Sequence, residues 1–129
     1  MSASPVRIAV VDDDPAVLES TQFLLEAEGH SVGSFASGSD LFKTLAASPF
    51  DGLILDHHMP GLTGLEVARL LRASGHNLPI MLISGAMTVD IASRAAEIGV
   101  EKVVDKPVSD DELMSFVALV KSGGQGVHH

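Results

Sequence analysis

Phe50-Asp51-Gly52-Leu53-Ile54-Leu55-Asp56-His57-His58-Met59-Pro60 is the stretch on which the fold turns. Gly52 to Leu55 form a short apolar run that ends in a carboxylate, Asp56, before a loop that Pro60 and Gly61 force to turn. A strand buried on both faces reads as an uninterrupted apolar run, and in an open α/β sheet ligands sit beyond the carboxyl ends of such strands. Asp56 therefore falls where chemistry is usually done. Taken alone, it reads more simply as a cap or turn residue, since Asp favours both for local hydrogen-bonding reasons. The case for a site rests on what accompanies it elsewhere in the chain.

Upstream, Val6 to Val11 is a β-branched apolar segment that stops at Asp12-Asp13-Asp14. Asp14-Pro15 then reads as a helix start, with Asp at the cap and Pro in the first turn. Val17, Thr21, Leu24, Leu25 and Glu28 follow at helical spacing, and Gly29 stops the helix. A second strand near Ser31 to Phe35 leads to Ser37-Gly38-Ser39-Asp40, a capping-box pattern ahead of Leu41, Phe42 and Leu45. After the Asp56 strand, Thr63-Gly64-Leu65-Glu66 opens a helix with Val67, Leu70 and Leu71 inward and an end near Ser74-Gly75.

Pro79 to Ile83 is the fourth strand, ending at Ser84-Gly85, and the helix from Val89 to Ile98 carries Ile91, Ala92, Ala95 and Ile98 on one side before Gly99. Lys102 to Asp105 is a short fifth strand that ends at Lys106-Pro107. Ser109-Asp110-Asp111-Glu112 caps a last helix with Leu113, Phe116, Val117 and Val120 inward. Residues 1–5 read as a disordered lead-in, 6–121 as the domain and 122–129 as a linker or appended tail, with His128-His129 part of that tail.

Alternating strands and helices joined by short connections specify a parallel sheet covered on both faces, an α/β doubly wound architecture. Among five-stranded sheets of this kind, the order 2-1-3-4-5 puts strands one and three on either side of the switch point. Asp12 and Asp13 would then face Asp56, with Ser84 and Lys106 arriving from strands four and five. Three carboxylates at close range repel, so one must take a proton or a cation must sit among them. A hard divalent ion such as Mg2+ suits carboxylate oxygens. One oxygen of Asp56 would remain free as a nucleophile, and Lys106 and the Ser84 hydroxyl could neutralise the spread charge of a transferring phosphoryl group.

The totals narrow the field further. One domain is the natural count for 129 residues, and the core must be aliphatic, because apolar residues make up 46% and aromatic ones only 4%. With 17 acidic against 8 basic residues the formal charge is -9, which argues against direct contact with nucleic acid or an anionic membrane. There is no cysteine, which excludes disulfides and thiolate metal sites and is compatible with a reducing cytoplasm. No apolar run approaches the ~18 residues of a membrane span, and the N-terminus lacks the features of a signal peptide.

Val10-Val11-Asp12-Asp13, Leu55-Asp56-x-x-Met59-Pro60-Gly61, the strand-end Ser84 and Lys106-Pro107, at these separations, resemble the receiver domain of bacterial two-component response regulators, in the style of the chemotaxis and nitrogen-fixation regulators. The likeness runs from about Val6 to Lys121 and implies the flavodoxin-like receiver fold, a family that itself exemplifies the 2-1-3-4-5 order. It implies a signalling domain, not an enzyme in its own right, in which Asp56 takes a phosphoryl group from a sensor histidine kinase or phosphotransfer protein. Asp13, Asp56 and the backbone carbonyl of His58 would hold Mg2+, with Asp12 acting through a bound water. Lys106 would pair with the phosphoryl oxygens, and the Lys106–Pro107 bond would be cis. Ser84 would shift toward the phosphoryl group and bias the face made by helix four, strand five and helix five, with phosphorylation-dependent pairing of two copies as one readout.

His58 and Ala86 would modulate dephosphorylation. Ser84 stands where relatives also use Thr, which keeps the hydroxyl. The chain departs from the pattern at Val103, where most relatives carry an aromatic switch residue, and it contains no Tyr. Three rival readings stand beside this one. Asp56-His57-His58 matches a short signature of metal-dependent phosphoesterases, although two His in a solvent-facing loop need no metal and that family needs further acidic motifs. Asp12-x-Asp14 resembles the nucleophile motif of haloacid-dehalogenase-like phosphatases, except that Ala16 stands where Thr or Val is expected. A pseudo-receiver would bind partners without being phosphorylated.

Overall fold

The computed structural model describes residues 5–45 and 49–123, so the first four residues of the expected lead-in and residues 124–129 of the expected tail lie outside it. Five strands and five helices alternate: β1 (Arg7–Val11), α1 (Pro15–Ala27), β2 (Ser31–Phe35), α2 (Gly38–Leu45), β3 (Gly52–Asp56), α3 (Gly64–Ala73), β4 (Ile80–Ser84), α4 (Val89–Ile98), β5 (Lys102–Asp105) and α5 (Asp110–Lys121). All neighbouring strands are parallel, and the sheet order is β2-β1-β3-β4-β5, as expected.

Side chains alternate across a strand, so a parallel sheet with helices on both sides needs apolar residues at every central position. In β3, Leu53 and Leu55 pack with Leu41, Leu65, Val67 and Leu71 on one face. On the other, Ile54 joins Val10, Met81 and Ile83 beneath Leu113, Phe116, Val117 and Val120 of α5. Every residue of β3 and β4 is buried.

The caps locate the helices as the sequence predicts. Asp14 accepts from the Ala16 N–H at 3.0 Å. Thr63 with Glu66 and Ser109 with Glu112 form complete capping boxes. At α2 only half the box is seen, the Asp40 N–H donating to Ser37 Oγ at 3.1 Å. Two expectations shift. β4 begins one residue later than Pro79 and runs to Ser84, because proline has no N–H for the ladder and only its carbonyl pairs, with the Leu53 N–H at 3.0 Å.

The apolar stripe expected on α1 is the other, since Leu25 alone is fully buried there and Glu28 is an exposed cap. Val17, Thr21 and Leu24 are half-buried along a crevice that α1 shares with Pro107, Val108 and Leu113. Periodicity gives the side of a helix that faces inward, but how deep that side sinks depends on the neighbouring helix. Among the described residues, no helix is long and apolar enough to cross a membrane.

Candidate functional site

Strand register assembles the site. Val11 lies beside Leu55, so the next residue of each strand brings Asp12 and Asp56 together at the carboxyl edge. Ser84 lies beside Asp105, which sets Lys106 one residue further on, its N–H donating to the Ser84 carbonyl at 2.9 Å. Carboxylate oxygens of Asp12, Asp13 and Asp56 come within 4.8 Å of one another. The Lys106 ammonium reaches between them, 3.3 Å from Asp12 Oδ2 and 3.3 Å from Asp56 Oδ1.

Burial makes this cluster electrostatically costly. Asp12 and Asp56 are 0% and 1% exposed, whereas Asp13 is open to solvent. Asp12 Oδ1 is satisfied by the Asp14 N–H at 2.9 Å. Asp12 Oδ2 and Asp56 Oδ1 are buried and receive no well-formed hydrogen bond; the nearby Lys106 is their compensation. Burial, reinforced by the charge of Asp12, pushes the Asp56 carboxyl above its usual range, and Lys106 opposes the rise. Burial works against the Lys106 charge, but Asp12 and Asp56 outweigh it and hold the ammonium above its ordinary value.

Two orphaned carboxylate oxygens beside a third carboxylate, all hard donors and without an imidazole in the cluster among the described residues, fit a hard divalent cation such as Mg2+. Of the other predicted residues, Ser84 is fully buried at the edge of the same crevice, its Oγ accepting from the Ala86 N–H at 3.0 Å. Ala86 is exposed on the loop that follows. His58 is exposed and its ring meets that of His57 edge-on, centroids 4.9 Å apart. Val103 is 37% exposed on β5, and the Lys106–Pro107 peptide is cis.

Two contributors escaped sequence reasoning. The Gly64 N–H donates to the His57 carbonyl at 3.0 Å, and a Cβ on Gly64 would stand 2.6 Å from the Asp56 carbonyl oxygen. Glycine thus lets α3 close on the strand end that carries the carboxylate. A glycine inside a capping box was the available signal, because helix formation itself does not ask for one. The other is the His57 side chain, whose Nδ1 accepts from the Leu65 N–H at 3.3 Å and ties the loop to α3.

A parallel 2-1-3-4-5 sheet with an acidic cluster and a lysine at its carboxyl edge defines the class, a receiver-type α/β domain. The family model described as the response regulator receiver domain matches residues 8–118, and the chain belongs to that family. It is 38% identical over 111 residues to the response regulator MprA of Mycolicibacterium vanbaalenii, covering 86% of this chain and 48% of that protein. The MprA protein of Mycobacterium tuberculosis is likewise 38% identical over 110 residues. The chain spans about half the length of these curated relatives.

Among solved structures, a CheY-like receiver domain protein from Methanospirillum hungatei superposes with a TM-score of 0.87 at 23% identity, covering 96% of this chain and 100% of that one. The receiver domain of the response regulator NarL from Mycobacterium tuberculosis gives 0.83 at 28% identity, covering 93% and 98%. The protein is a receiver domain of two-component signalling, a signalling module.

Proposed function

We propose that Asp56 is the phosphoacceptor of this domain, charged from the phosphohistidine of a sensor kinase or phosphotransfer protein in the cytoplasm. The observation that carries the reading is the buried, under-compensated Asp12–Asp56 pair bridged by Lys106 at the carboxyl edge of the sheet. Asp13, Asp56 and the His58 carbonyl would hold Mg2+, with Asp12 acting through water; when bound, the ion supplies the positive charge that lets these carboxylates stay ionised together.

In the transfer, an Asp56 oxygen forms the bond to phosphorus while the bond from phosphorus to the donor nitrogen breaks, and the electron pair leaves with the imidazole. Lys106 and the Ser84 hydroxyl face the phosphoryl oxygens and neutralise their spread charge. The Ser84 hydroxyl donates to the phosphoryl group while its Oγ accepts from the Ala86 N–H, so a shift of Ser84 toward the phosphoryl group draws the β4–α4 loop inward. The readout is the α4–β5–α5 face, where Val103 offers apolar surface in place of a rotating ring and two copies pair on phosphorylation. The working domain is residues 6–121.

Incubation with acetyl phosphate and Mg2+, followed by intact-mass measurement, tests the reading. One phosphoryl group should add to the native chain, and Asp56→Asn should remove the adduct along with its dependence on Mg2+. An unmodified native chain under both acetyl phosphate and a phosphorylated donor protein would favour the pseudo-receiver, and an adduct on Asp12 the phosphatase-like rival. Substitutions at His58 and Ala86 should change adduct lifetime without abolishing its formation.

A further inference from the structure

Although acidic residues outnumber basic ones 17 to 8, two of the arginines line the same crevice. A crevice of about 280 Å3 lies between α3 and α4, lined by His57, Thr63, Leu65, Glu66, Arg69 and Arg94. Glu66 is the acid among its lining residues, and its carboxylate keeps its charge beside Arg69. Glu66 accepts from the Thr63 N–H at 2.8 Å in the capping box. Asp90 meets Arg94 at 3.6 Å only through a solvent-exposed i,i+4 pair, the kind of contact that water and salt weaken most.

Two other cations are committed elsewhere, Lys106 to Asp12 and Asp56 and Arg72 to three carbonyls and Glu101. The His57 ring is half-buried at the crevice, its Nδ1 occupied by the Leu65 N–H, which leaves Nε2 as the N–H bearing atom of the neutral ring.

We infer that the α3–α4 crevice is a binding site for a small phosphate-bearing anion, held by Arg69 from α3 and Arg94 from α4 with the His57 N–H beneath. Two guanidiniums on different helices offer forked donors that suit a tetrahedral dianion better than a single carboxylate. The crevice has room for a phosphate group and for the remainder of a small molecule that carries it. An anion bridging Arg69 and Arg94 ties α4 to α3, and α4 follows the loop that leaves Ser84 and carries Ala86. Occupancy therefore opposes movement of that loop and alters the lifetime of the Asp56 adduct; this regulatory consequence rests on the phosphoacceptor reading, whereas binding does not.

The test is an amide 1H–15N NMR titration of the unphosphorylated chain with inorganic phosphate, at constant ionic strength and without Mg2+, so that the acidic site cannot itself recruit the anion. Saturable shifts centred on His57, Arg69 and Arg94 are expected. Arg69→Gln and Arg94→Gln should each weaken binding about tenfold, the equivalent of one charge-assisted hydrogen bond, and Lys substitutions should weaken it less. Lys43→Gln, an exposed charge removed elsewhere on the surface, should leave the curve unchanged. Shifts that do not saturate, an unchanged curve in the folded Arg69→Gln/Arg94→Gln variant, or an equal response to acetate would overturn the proposal.

Discussion

The two edges of this sheet treat buried charge in opposite ways. At the amino edge, Arg72 is buried along most of its length and fully engaged: it donates to the carbonyls of His76, Leu78 and Gly99 at 2.8 to 3.0 Å and pairs with Glu101 at 3.2 Å. Glu101 in turn accepts from the Ile80 N–H at 2.8 Å. At the carboxyl edge, Asp12 and Asp56 are buried with oxygens that no hydrogen bond satisfies, and one partly exposed lysine faces both. The difference teaches where the molecule keeps its stability and where it keeps its reactivity. A satisfied charge locks chain segments together, while an under-compensated one is held ready for a ligand.

Removing the Arg72 fork should have the largest effect. Arg72→Ala leaves the carbonyl oxygens and Glu101 without their donor and should cost about 2 to 4 kcal/mol in urea unfolding. A cost within experimental error would show that the amino edge is no tighter than the other. Next comes Gly64→Ala, whose methyl would press on the Asp56 carbonyl and the Leu82 side chain. Moving that backbone should cost about 1 to 3 kcal/mol and should also slow phosphorylation, so a stability loss with unchanged phosphorylation rate would separate packing from positioning.

Asp56→Asn should act in the other direction. The folded protein holds the Asp56 carboxyl above its usual range, so the contribution of Asp56 to stability is present at low pH and lost as pH rises through the folded value. Without Mg2+ the buried carboxylate opposes folding as pH rises, and its replacement should stabilise the fold at neutral pH. Thermal melts at pH 7 would check this; a destabilised variant would mean that Lys106 compensates Asp56 in full.

The smallest effect belongs to His30 at the amino edge, a buried residue whose Nδ1 accepts from the Val6 N–H at 3.2 Å. Burial and then Lys121 hold its pKa below the ordinary 6.5. Stability from the neutral ring is therefore present above that value and lost as pH falls through the folded one. Between pH 7 and 5 the native chain should lose less than about 1 kcal/mol by this route, and His30→Gln should flatten that part of the curve. The two edges thus respond to acid with opposite signs, and an Asp56→Asn/His30→Gln variant should be the least pH-sensitive of the set.

Local chemistry made most of the architecture legible in advance. Asp14, Thr63 and Ser109 cap their helices because short polar side chains compete for the first free N–H groups, and this depends on a few adjacent residues. The apolar runs of β3 and β4 declare strands buried on both faces for the same local reason. The depth of α1 was not legible, since its stripe meets a crevice shared with α5, and neither was Gly64, whose need arises from a strand end that the chain brings close only on folding.

By itself the amino-acid order determined which segments become strands and helices, that the strands run parallel, and which carboxylates, hydroxyl and amine stand at strand ends. Those are consequences of periodicity, capping and short connections, all of them properties of neighbouring residues. Only the tertiary structure decided that Asp12 and Asp56 keep oxygens without donors, that Lys106 divides itself between them, and that Arg69 and Arg94 converge from separate helices. Distances and burial between residues remote in sequence are set by packing, which no local pattern encodes.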